Sequence, residues 1–267
     1  MSASVPGFYD SFAEYYHLIF DDWNKSIDRQ SAAYNRLIAS VLPGSSLKIL
    51  DCSCGIGTQA IGFAKTGHRV VASDLSTAAV ARASREAAAR GLKMSFCVSD
   101  LATLTEIEDR DFDVVATLDN ALPHLEAEDV RRAVCAMASK LRPGGLLMAS
   151  IRDYDALVVE RPTVLGPTFF GAGQSRRIVL QVWDWTDESR YGLHLYITLR
   201  SGTGWTSHHF AGEYRCMLRE ELSGALVASG FEEPRWLMPA ETGLYLPVVL
   251  ARKLSGRWPA HAPTQSP

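Results

Sequence analysis

The sequence predicts an α/β fold, a doubly wound and mostly parallel sheet of seven strands with helices on both faces. Two observations predict this sheet. Between residues 47 and 151, short β-favouring runs alternate with helical segments of about 10 to 15 residues, as in parallel strands joined by crossover helices. The first run leads directly into a glycine turn and a helix. A third observation, the change to period-two β runs after residue 152, predicts an added antiparallel layer.

The individual elements follow from the spacing of apolar residues and from turn signals. One or two leading helices are predicted over residues 8–42, ended by Pro43-Gly44. Strands are predicted over 47–52, 69–73, 94–98, 112–118 and 146–151. Helices are predicted from the glycine turn to about residue 65, over 77–90 and over 126–141. Antiparallel strands are predicted over 177–185, 191–200 and 205–214. A helix over 219–229 and strands over 231–238 and 245–253 complete the main sheet.

Composition excludes several classes of protein. The chain has 267 residues, a formal net charge of -3 and 47% hydrophobic residues. Because there is no global basic field, we expect no nucleic-acid partner. No apolar run approaches the ~18 residues of a membrane span, so we expect no membrane partner either. The five cysteines are an odd number without metal-ligand spacing or a preceding leader, which favours a reduced, cytoplasmic setting and no bound metal.

A glycine turn and two acidic residues stand where ligands bind in an open parallel sheet. Gly55 and Gly57 follow the first strand, where the backbone must approach a ligand closely. Asp74 ends the second strand, 19 positions after Gly55, and suits the two hydroxyls of a ribose. Asp100 follows the third strand. The same spacing also satisfies the dinucleotide pattern, so an NAD-dependent oxidoreductase and a tight turn without a ligand both stay open.

The motifs themselves resemble those of the class I S-adenosylmethionine-dependent methyltransferases, whose core is Rossmann-like. The resemblance covers about residues 8–253 and rests on the segments 50–57, 99–101 and 141–145 together with Asp74. It implies that S-adenosyl-L-methionine is the cofactor and S-adenosyl-L-homocysteine the product. The implied cofactor contacts are Ser53, Gly55, Gly57, Asp74, Leu75, Asp100, Leu101 and Asp119. Ser53 replaces the first glycine of the family motif, which alters the expected cofactor packing.

Within that class, the sequence is most similar to glycine and glycine/sarcosine N-methyltransferases. The likeness rests on residues 9–29, 119–125 and 151–155. It implies that Tyr9, Tyr16 and Arg29 contact the cofactor, and that Asn120, His124 and Arg152 line the acceptor site. Between residues 152 and 215, where the acceptor pocket is built, the sequence aligns poorly with that family.

The resemblance also suggests an organisation in four parts. It places the leading helix against the methyl donor, so residues 1–44 are expected to act as a helical lid. The Rossmann-like core comprises residues 45–151 and 216–254, the antiparallel substrate-binding insertion 152–215, and a flexible tail 255–267.

Each candidate catalytic or binding residue has an alternative interpretation. Arg152 suits a substrate carboxylate, or else it pairs with a neighbouring aspartate. His124 has an ordinary pKa of about 6.5 that suits acid/base work, or else it is a hydrogen-bonded structural residue. Tyr16 is either a wall of the cofactor site that could also act as base, or helix core. His208 and His209 are adjacent in a predicted strand, so only one of them can face the site. His209 is the catalytic candidate of the two.

The insertion is rich in aromatic residues, which suggests a flat acceptor. They are Trp183, Trp185, Tyr191, Tyr196, Trp205, Phe210 and Tyr214. A glycine-sized substrate needs little aromatic surface, whereas a ring gains ~0.5–1.5 kcal/mol from each good stacking partner. Trp185 and Tyr214 are therefore candidate substrate contacts. The alternative is that these rings form the core of the hairpin layer or a subunit interface, which would make a homo-oligomer.

Together these features predict a small-molecule methyltransferase. The expected reaction methylates nitrogen or carbon of an amine or indole-like natural-product acceptor, by in-line transfer with His124, Tyr16 or His209 as base. A glycine/sarcosine N-methyltransferase is the first alternative. The NAD-dependent oxidoreductase and a non-catalytic binding protein that keeps the cofactor pocket are more remote.

Overall fold

Two β-sheets organise the chain in the computed structural model, which describes residues 5–255. Residues 1–4 of the predicted lid and 256–267 of the predicted tail lie outside the described residues. Among the helices that are described, none is both long enough and apolar enough to cross a membrane.

The elements are numbered here in chain order. The N-terminal segment contains α1 (Val5–Phe12), a 3₁₀ turn (Tyr16–Ile19) and α2 (Trp23–Val41). The core continues with β1 (Lys48–Asp51), α3 (Thr58–Lys65), β2 (Arg69–Asp74), α4 (Thr77–Ala89), β3 (Ser95–Val98), β4 (Phe112–Thr117), a 3₁₀ turn (Leu122–His124), α5 (Ala127–Lys140) and β5 (Leu141–Ser150). The insertion contains α6 (Tyr154–Glu160), β6 (Val164–Phe170), β7 (Arg177–Trp185), β8 (Arg190–Ser201) and β9 (Gly204–Arg215). The last elements of the described residues are α7 (Arg219–Ala228), β10 (Arg235–Leu237), α8 (Pro239–Thr242) and β11 (Val248–Arg252).

The larger sheet has seven strands in the order β10-β11-β5-β4-β1-β2-β3. Its pairs are parallel except that β11 runs antiparallel to both β5 and β10. Strand order reverses between β1 and β4, and in such sheets ligands bind beyond the carboxyl ends of the strands at that point. The predicted α/β class, with a mostly parallel seven-stranded sheet and an added antiparallel layer, is confirmed.

Local sequence explains why these segments fold as they do. Ile49 and Leu50 point to opposite faces of β1 and are both fully buried, as expected for a parallel strand covered by helices on each side. The Ser76 side chain accepts a hydrogen bond from the Ala79 N–H and so starts α4. Asp22 caps α2 in the same way through the Lys25 N–H.

The smaller sheet has four antiparallel strands in the order β6-β7-β8-β9. Its inner face packs against α1 through Phe8 and Phe12, which share a buried cluster with Ile197 and Phe210. Three of the predicted aromatic cover residues stack inside the layer. Trp183 lies 4.4 Å from Tyr191 between ring centroids, and Tyr191 lies 5.5 Å from Tyr214. These rings therefore hold the layer together.

Two elements of the insertion are absent from the sequence prediction. α6 is only seven residues long, and β6 is exposed along almost its whole length, so neither carries a periodic apolar pattern. The strand predicted over 231–238 shortens to β10, because Glu232, Glu233 and Pro234 interrupt its start. β5 is longer than predicted and includes the Arg142-Pro143-Gly144-Gly145 run.

Candidate functional site

The glycine turn after β1 builds one wall of the site. Gly55 has φ +51° and Gly57 has φ +93°, left-handed conformations that favour glycine. The Gly55 N–H donates a hydrogen bond to Asp74 Oδ2 at 2.8 Å, which ties the turn to the end of β2. A Cβ atom on Gly55 would lie 3.3 Å from the Tyr16 ring, and one on Gly57 would lie 3.3 Å from the Cβ of Ala83 in α4. The lack of a side chain at Gly55 therefore lets the Tyr16 ring lie against the turn, whereas the lack of one at Gly57 lets the turn pack closely on α4.

A cavity opens at the carboxyl ends of the core strands, and we call it the strand-end cavity. Ten of the predicted site residues line it: Tyr9, Tyr16, Ser53, Gly55, Asp74, Leu75, Asp100, Leu101, Asp119 and His124.

Three aspartates give this cavity its charge. Asp74 accepts hydrogen bonds from the N–H groups of Gly55 and Ser76, and burial raises its pKa against the effect of those bonds. Asp100 accepts from the Ala102 N–H at 2.8 Å. Burial likewise raises the pKa of Asp119, opposed by hydrogen bonds from Tyr245 and Gln59. Since no Lys or Arg occurs among the described residues that line it, the cavity suits a cation.

A second cavity lies between the core and the smaller sheet, and we call it the inter-layer cavity. Tyr9, Tyr16 and Asp119 line both cavities, so these three side chains form a shared wall. Tyr16 stacks on Phe12 with 4.6 Å between ring centroids. Burial raises the pKa of Tyr16 well above its ordinary value, with Asp119 adding to the effect. Its hydroxyl is therefore protonated at neutral pH.

Asn120 and Arg152 meet in the inter-layer cavity after β4 and β5. Asn120 has φ +68°, and its side chain accepts from the Arg152 backbone N–H at 2.9 Å while donating to the Tyr154 hydroxyl at 3.0 Å. The Arg152 guanidinium lies over the Trp183 ring, 4.4 Å from its centroid. No carboxylate of the described residues pairs with Arg152, because Asp153 and Asp155 pair with Arg219. The alternative of a local ion pair for Arg152 is therefore wrong.

His124 has a defined tautomer. Its Nδ1 lies 3.1 Å from the Glu213 carbonyl oxygen, which can only accept, so Nδ1 carries the proton. Its Nε2 lies 2.9 Å from the Tyr9 hydroxyl and accepts that O–H. Burial lowers the pKa of His124 to about 4, opposed by the Glu213 carbonyl and reinforced by the charge of Arg152. The ring is therefore neutral at pH 7.

Most residues that line the strand-end cavity lie in a stretch that matches a known family. A family model for a methyltransferase domain matches residues 49–145, which include the glycine turn, Asp74, Asp100 and Asp119. This stretch is a class I S-adenosylmethionine-dependent methyltransferase domain. The resemblance predicted from the sequence motifs is confirmed.

Known proteins resemble more of the chain than that domain alone. A glycine/sarcosine N-methyltransferase from Parasynechococcus marenigrum (strain WH8102) is 30% identical over 149 residues, 54% of this chain and 53% of the relative. One from Halorhodospira halochloris is 28% identical over 149 residues, 54% of this chain and 56% of the relative. The chain thus spans about half the length of these curated relatives.

A solved methyltransferase shares the fold of nearly the whole chain. CalS10 with bound S-adenosylmethionine, an amino pentose methyltransferase from Micromonospora echinaspora involved in calicheamicin biosynthesis, aligns with a TM-score of 0.70. It is 22% identical, and the match covers 85% of this chain and 92% of that one.

The methyltransferase domain fits the chemistry of its cofactor. S-adenosylmethionine carries a sulfonium and an ammonium group, which the aspartate-lined cavity complements. The spacing of the glycine turn also fits a dinucleotide, but the family model that matches residues 49–145 describes a methyltransferase domain, which favours the sulfonium cofactor over the oxidoreductase alternative.

Four predicted site residues line neither cavity. Arg29 is exposed on α2 and lines a separate surface groove. Gly57 packs against α4, as described above. Trp185 donates its indole N–H to the Pro162 carbonyl and lines neither cavity. His209 is exposed on the outer face of β9, 2.9 Å from His194, because the strand alternates and turns its neighbour Phe210 inward.

Three further residues belong to the site and were missed from the sequence. Gln59 donates to Asp119 from the second position of α3. Tyr245 donates to Asp119 from the segment before β11, where it was assigned to a strand. Gln181 lines the inter-layer cavity at a period-two position shared with Trp183, a signal that was available from the strand alternation.

Proposed function

We propose that this protein transfers the methyl group of S-adenosyl-L-methionine to nitrogen or carbon of an amine or indole-like small molecule, leaving S-adenosyl-L-homocysteine. The observation that supports this is the wall of Tyr9, Tyr16 and Asp119 shared by the two cavities. A donor in the strand-end cavity and an acceptor in the inter-layer cavity would meet at that wall. The cofactor supplies a methyl group already activated by its sulfonium, so the protein's main task is positioning.

The proposed cofactor contacts are the residues that line the strand-end cavity. Asp74 is assigned to the ribose hydroxyls, because its carboxylate ends β2 at the cavity and is held by backbone N–H groups. Asp100 and Leu101 are assigned to the adenine, and the turn at Ser53 and Gly55 to the methionine portion. Asp119 faces both cavities and favours positive charge on either side of the transferred methyl.

The lining of the inter-layer cavity supports an acceptor with a flat, apolar body. Phe8, Phe12, Leu193, Leu195 and Tyr214 surround it. We assign Asn120, Arg152 and Tyr214 to acceptor binding. The natural-product character of the acceptor is supported by the likeness in fold to an enzyme of calicheamicin biosynthesis.

We propose that proton removal runs through Tyr9 and His124. As the methylated acceptor gives its proton to the Tyr9 oxygen, the Tyr9 O–H proton passes to Nε2 of His124, so one O–H bond forms as another breaks. Because burial holds the pKa of His124 at about 4, this route serves acidic protons such as those of a ring carbon that has just been methylated. The Tyr16 hydroxyl stays protonated and is assigned to orientation.

Methylation of glycine or sarcosine is the second candidate. It is supported by the names of the curated relatives and by the Arg152 guanidinium, which has no carboxylate partner among residues 5–255. Arg152 would hold the substrate carboxylate in a bidentate hydrogen-bonded pair.

The deciding experiment incubates purified protein with S-adenosylmethionine and a panel of glycine, sarcosine, tryptophan derivatives and indole-bearing cyclic peptides. Mass spectrometry then detects products heavier by one methylene unit. A methylated indole supports the first candidate and methylated glycine the second. Absence of S-adenosylmethionine binding in calorimetry would exclude both.

A further inference from the structure

The orientation of the Gln181 side-chain amide is set by its neighbours. Its Oε1 lies 3.2 Å from Nε1 of Trp183 and 3.4 Å from Nη2 of Arg152. An indole N–H and a guanidinium are donor-only groups, so both require the amide oxygen. The amide nitrogen of Gln181 is therefore turned away from Trp183 and Arg152.

This arrangement leaves a wall made of hydrogen-bond donors. Gln181 and Arg152 both line the inter-layer cavity. Within residues 5–255, the Gln181 Nε2 hydrogens have no protein acceptor and the Arg152 guanidinium has no carboxylate. The oxygen of Gln181 is already used by two donors. A ligand at this wall must therefore supply oxygen acceptors of its own.

One side of the cavity suits an apolar ring, because the side chains of Phe8, Phe12, Leu193 and Leu195 line it. Glycine would satisfy the donor wall and leave this apolar surface without a partner. The two features together call for one molecule with a ring and an oxygen-bearing end.

We propose that Gln181, acting with Arg152, selects acceptors that carry hydrogen-bond-accepting oxygens on a flat apolar body. The shared chemistry is a carboxylate or a neutral carbonyl next to a ring. This inference rests on the proposed function, because it specifies the acceptor of the same site. Gln181 is thus a specificity-determining residue.

The test compares binding of three molecules with the same ring. Tryptophan, tryptophanamide and tryptamine keep the indole and the amine and differ in having a carboxylate, a carboxamide or neither. Calorimetry measures their dissociation constants for protein saturated with S-adenosylhomocysteine, which prevents turnover. We expect tryptophan to bind about tenfold or more tightly than tryptamine, as hydrogen bonds to a charged group imply. The affinity of tryptophanamide shows whether the negative charge of a carboxylate is required or whether a carbonyl oxygen is sufficient. Glycine, which has no ring, should bind more weakly than tryptophan.

The variant Gln181→Glu sharpens the test. It keeps an oxygen for Trp183 and Arg152 but replaces the amide nitrogen by a second oxygen. We expect about a tenfold or greater loss of tryptophan affinity, with tryptamine little weakened. Gln174→Glu makes the same change in an exposed turn of the insertion and should leave all three constants unchanged.

Three outcomes overturn the proposal. The first is that tryptamine binds as tightly as tryptophan. The second is that Gln181→Glu ranks the three ligands by affinity as the wild type does. The third is that no member of the series binds the protein saturated with S-adenosylhomocysteine. The proposed function fails separately, through absence of cofactor binding or of methyl transfer to every acceptor of the broad panel.

Discussion

The Tyr9 hydroxyl lies 2.9 Å from Nε2 of His124, and the Glu213 carbonyl fixes that nitrogen as the acceptor. This pair joins the N-terminal helix α1 to the turn that follows β4. Tyr9 also belongs to the wall shared by the two cavities. A side chain of α1 thus connects the place of proposed methyl transfer to a neutral imidazole.

Tyr9→Phe should slow methyl transfer to a ring carbon while leaving cofactor affinity nearly unchanged. The ring contact with His124, 5.4 Å between centroids, is retained, and only the hydroxyl is lost. We expect kcat to fall about 10²-fold, the lower range for removing a positioned proton-transfer group. Single-turnover kinetics and calorimetry with S-adenosylmethionine measure the two quantities.

Tyr15→Phe is the matched control for this prediction. The Tyr15 ring packs on His208 at 4.3 Å between centroids, and Tyr15 lines neither cavity. Its kcat should equal that of the wild type. An unchanged kcat in Tyr9→Phe would remove Tyr9 from the proton route.

Stability should depend on pH through His124. Its folded-state pKa of about 4 lies below the unfolded value of about 6.5, so the unfolded chain binds the proton more readily. The contribution of the neutral His124 side chain to the free energy of unfolding is fully present above pH 6.5 and is lost as pH falls towards 4. We expect the stability difference between wild type and His124→Gln to change by about 1–2 kcal/mol over that window, allowing for partial exposure of the ring.

Urea unfolding of both proteins at several pH values measures this difference. Taking the difference removes the opposing contribution of buried carboxyls such as Asp51, whose pKa burial raises to about 7. A difference that stays constant from pH 7 to pH 4 would show that His124 titrates normally in the folded protein.

Gly55→Ala should destabilise the protein and weaken cofactor binding together. At φ +51° an added Cβ costs about 1–2 kcal/mol, and here it would also lie 3.3 Å from the Tyr16 ring. Thermal unfolding and calorimetry with S-adenosylmethionine measure the two effects. Gly224→Ala is the control, since nothing lies within 4 Å of its Cβ position in α7 and alanine favours the helix by up to about 1 kcal/mol. Equal stability of the two variants would contradict the prediction.

The core could be predicted from the sequence because its signals are local. The helix expected after the glycine turn and through about Lys65 is α3, since the turn starts it and apolar spacing marks its face. Gly55, Asp74 and Asp100 are found together for the same reason: each ends or follows a parallel strand, and those ends meet at one edge of the sheet.

The acceptor side could not be predicted equally well, because it depends on which face a strand presents. A shift of one position moves a side chain from the cavity to the outer face. His209 was misplaced in this way, whereas Tyr214 points inward. Trp185 lies on the same face of β7 as Gln181 but at the end of the strand, where its ring packs on Tyr191 and its indole N–H bonds to the Pro162 carbonyl. Tyr245 reaches Asp119 from a segment far along the chain, a contact that no spacing rule reveals.

Asp74→Asn tests whether the carboxylate organises the cofactor turn. Each oxygen of Asp74 accepts a backbone N–H, from Gly55 at 2.8 Å and from Ser76 at 2.9 Å. An amide has one oxygen, so its NH₂ group would face one of these donors and leave that N–H without an acceptor. We expect S-adenosylmethionine to bind about tenfold or more weakly in calorimetry. Asp28→Asn, at an exposed ion pair with Lys65 on the surface of α2, should bind like the wild type. Wild-type affinity in Asp74→Asn would mean that the turn keeps its shape without the second oxygen and that the cofactor does not need the charge.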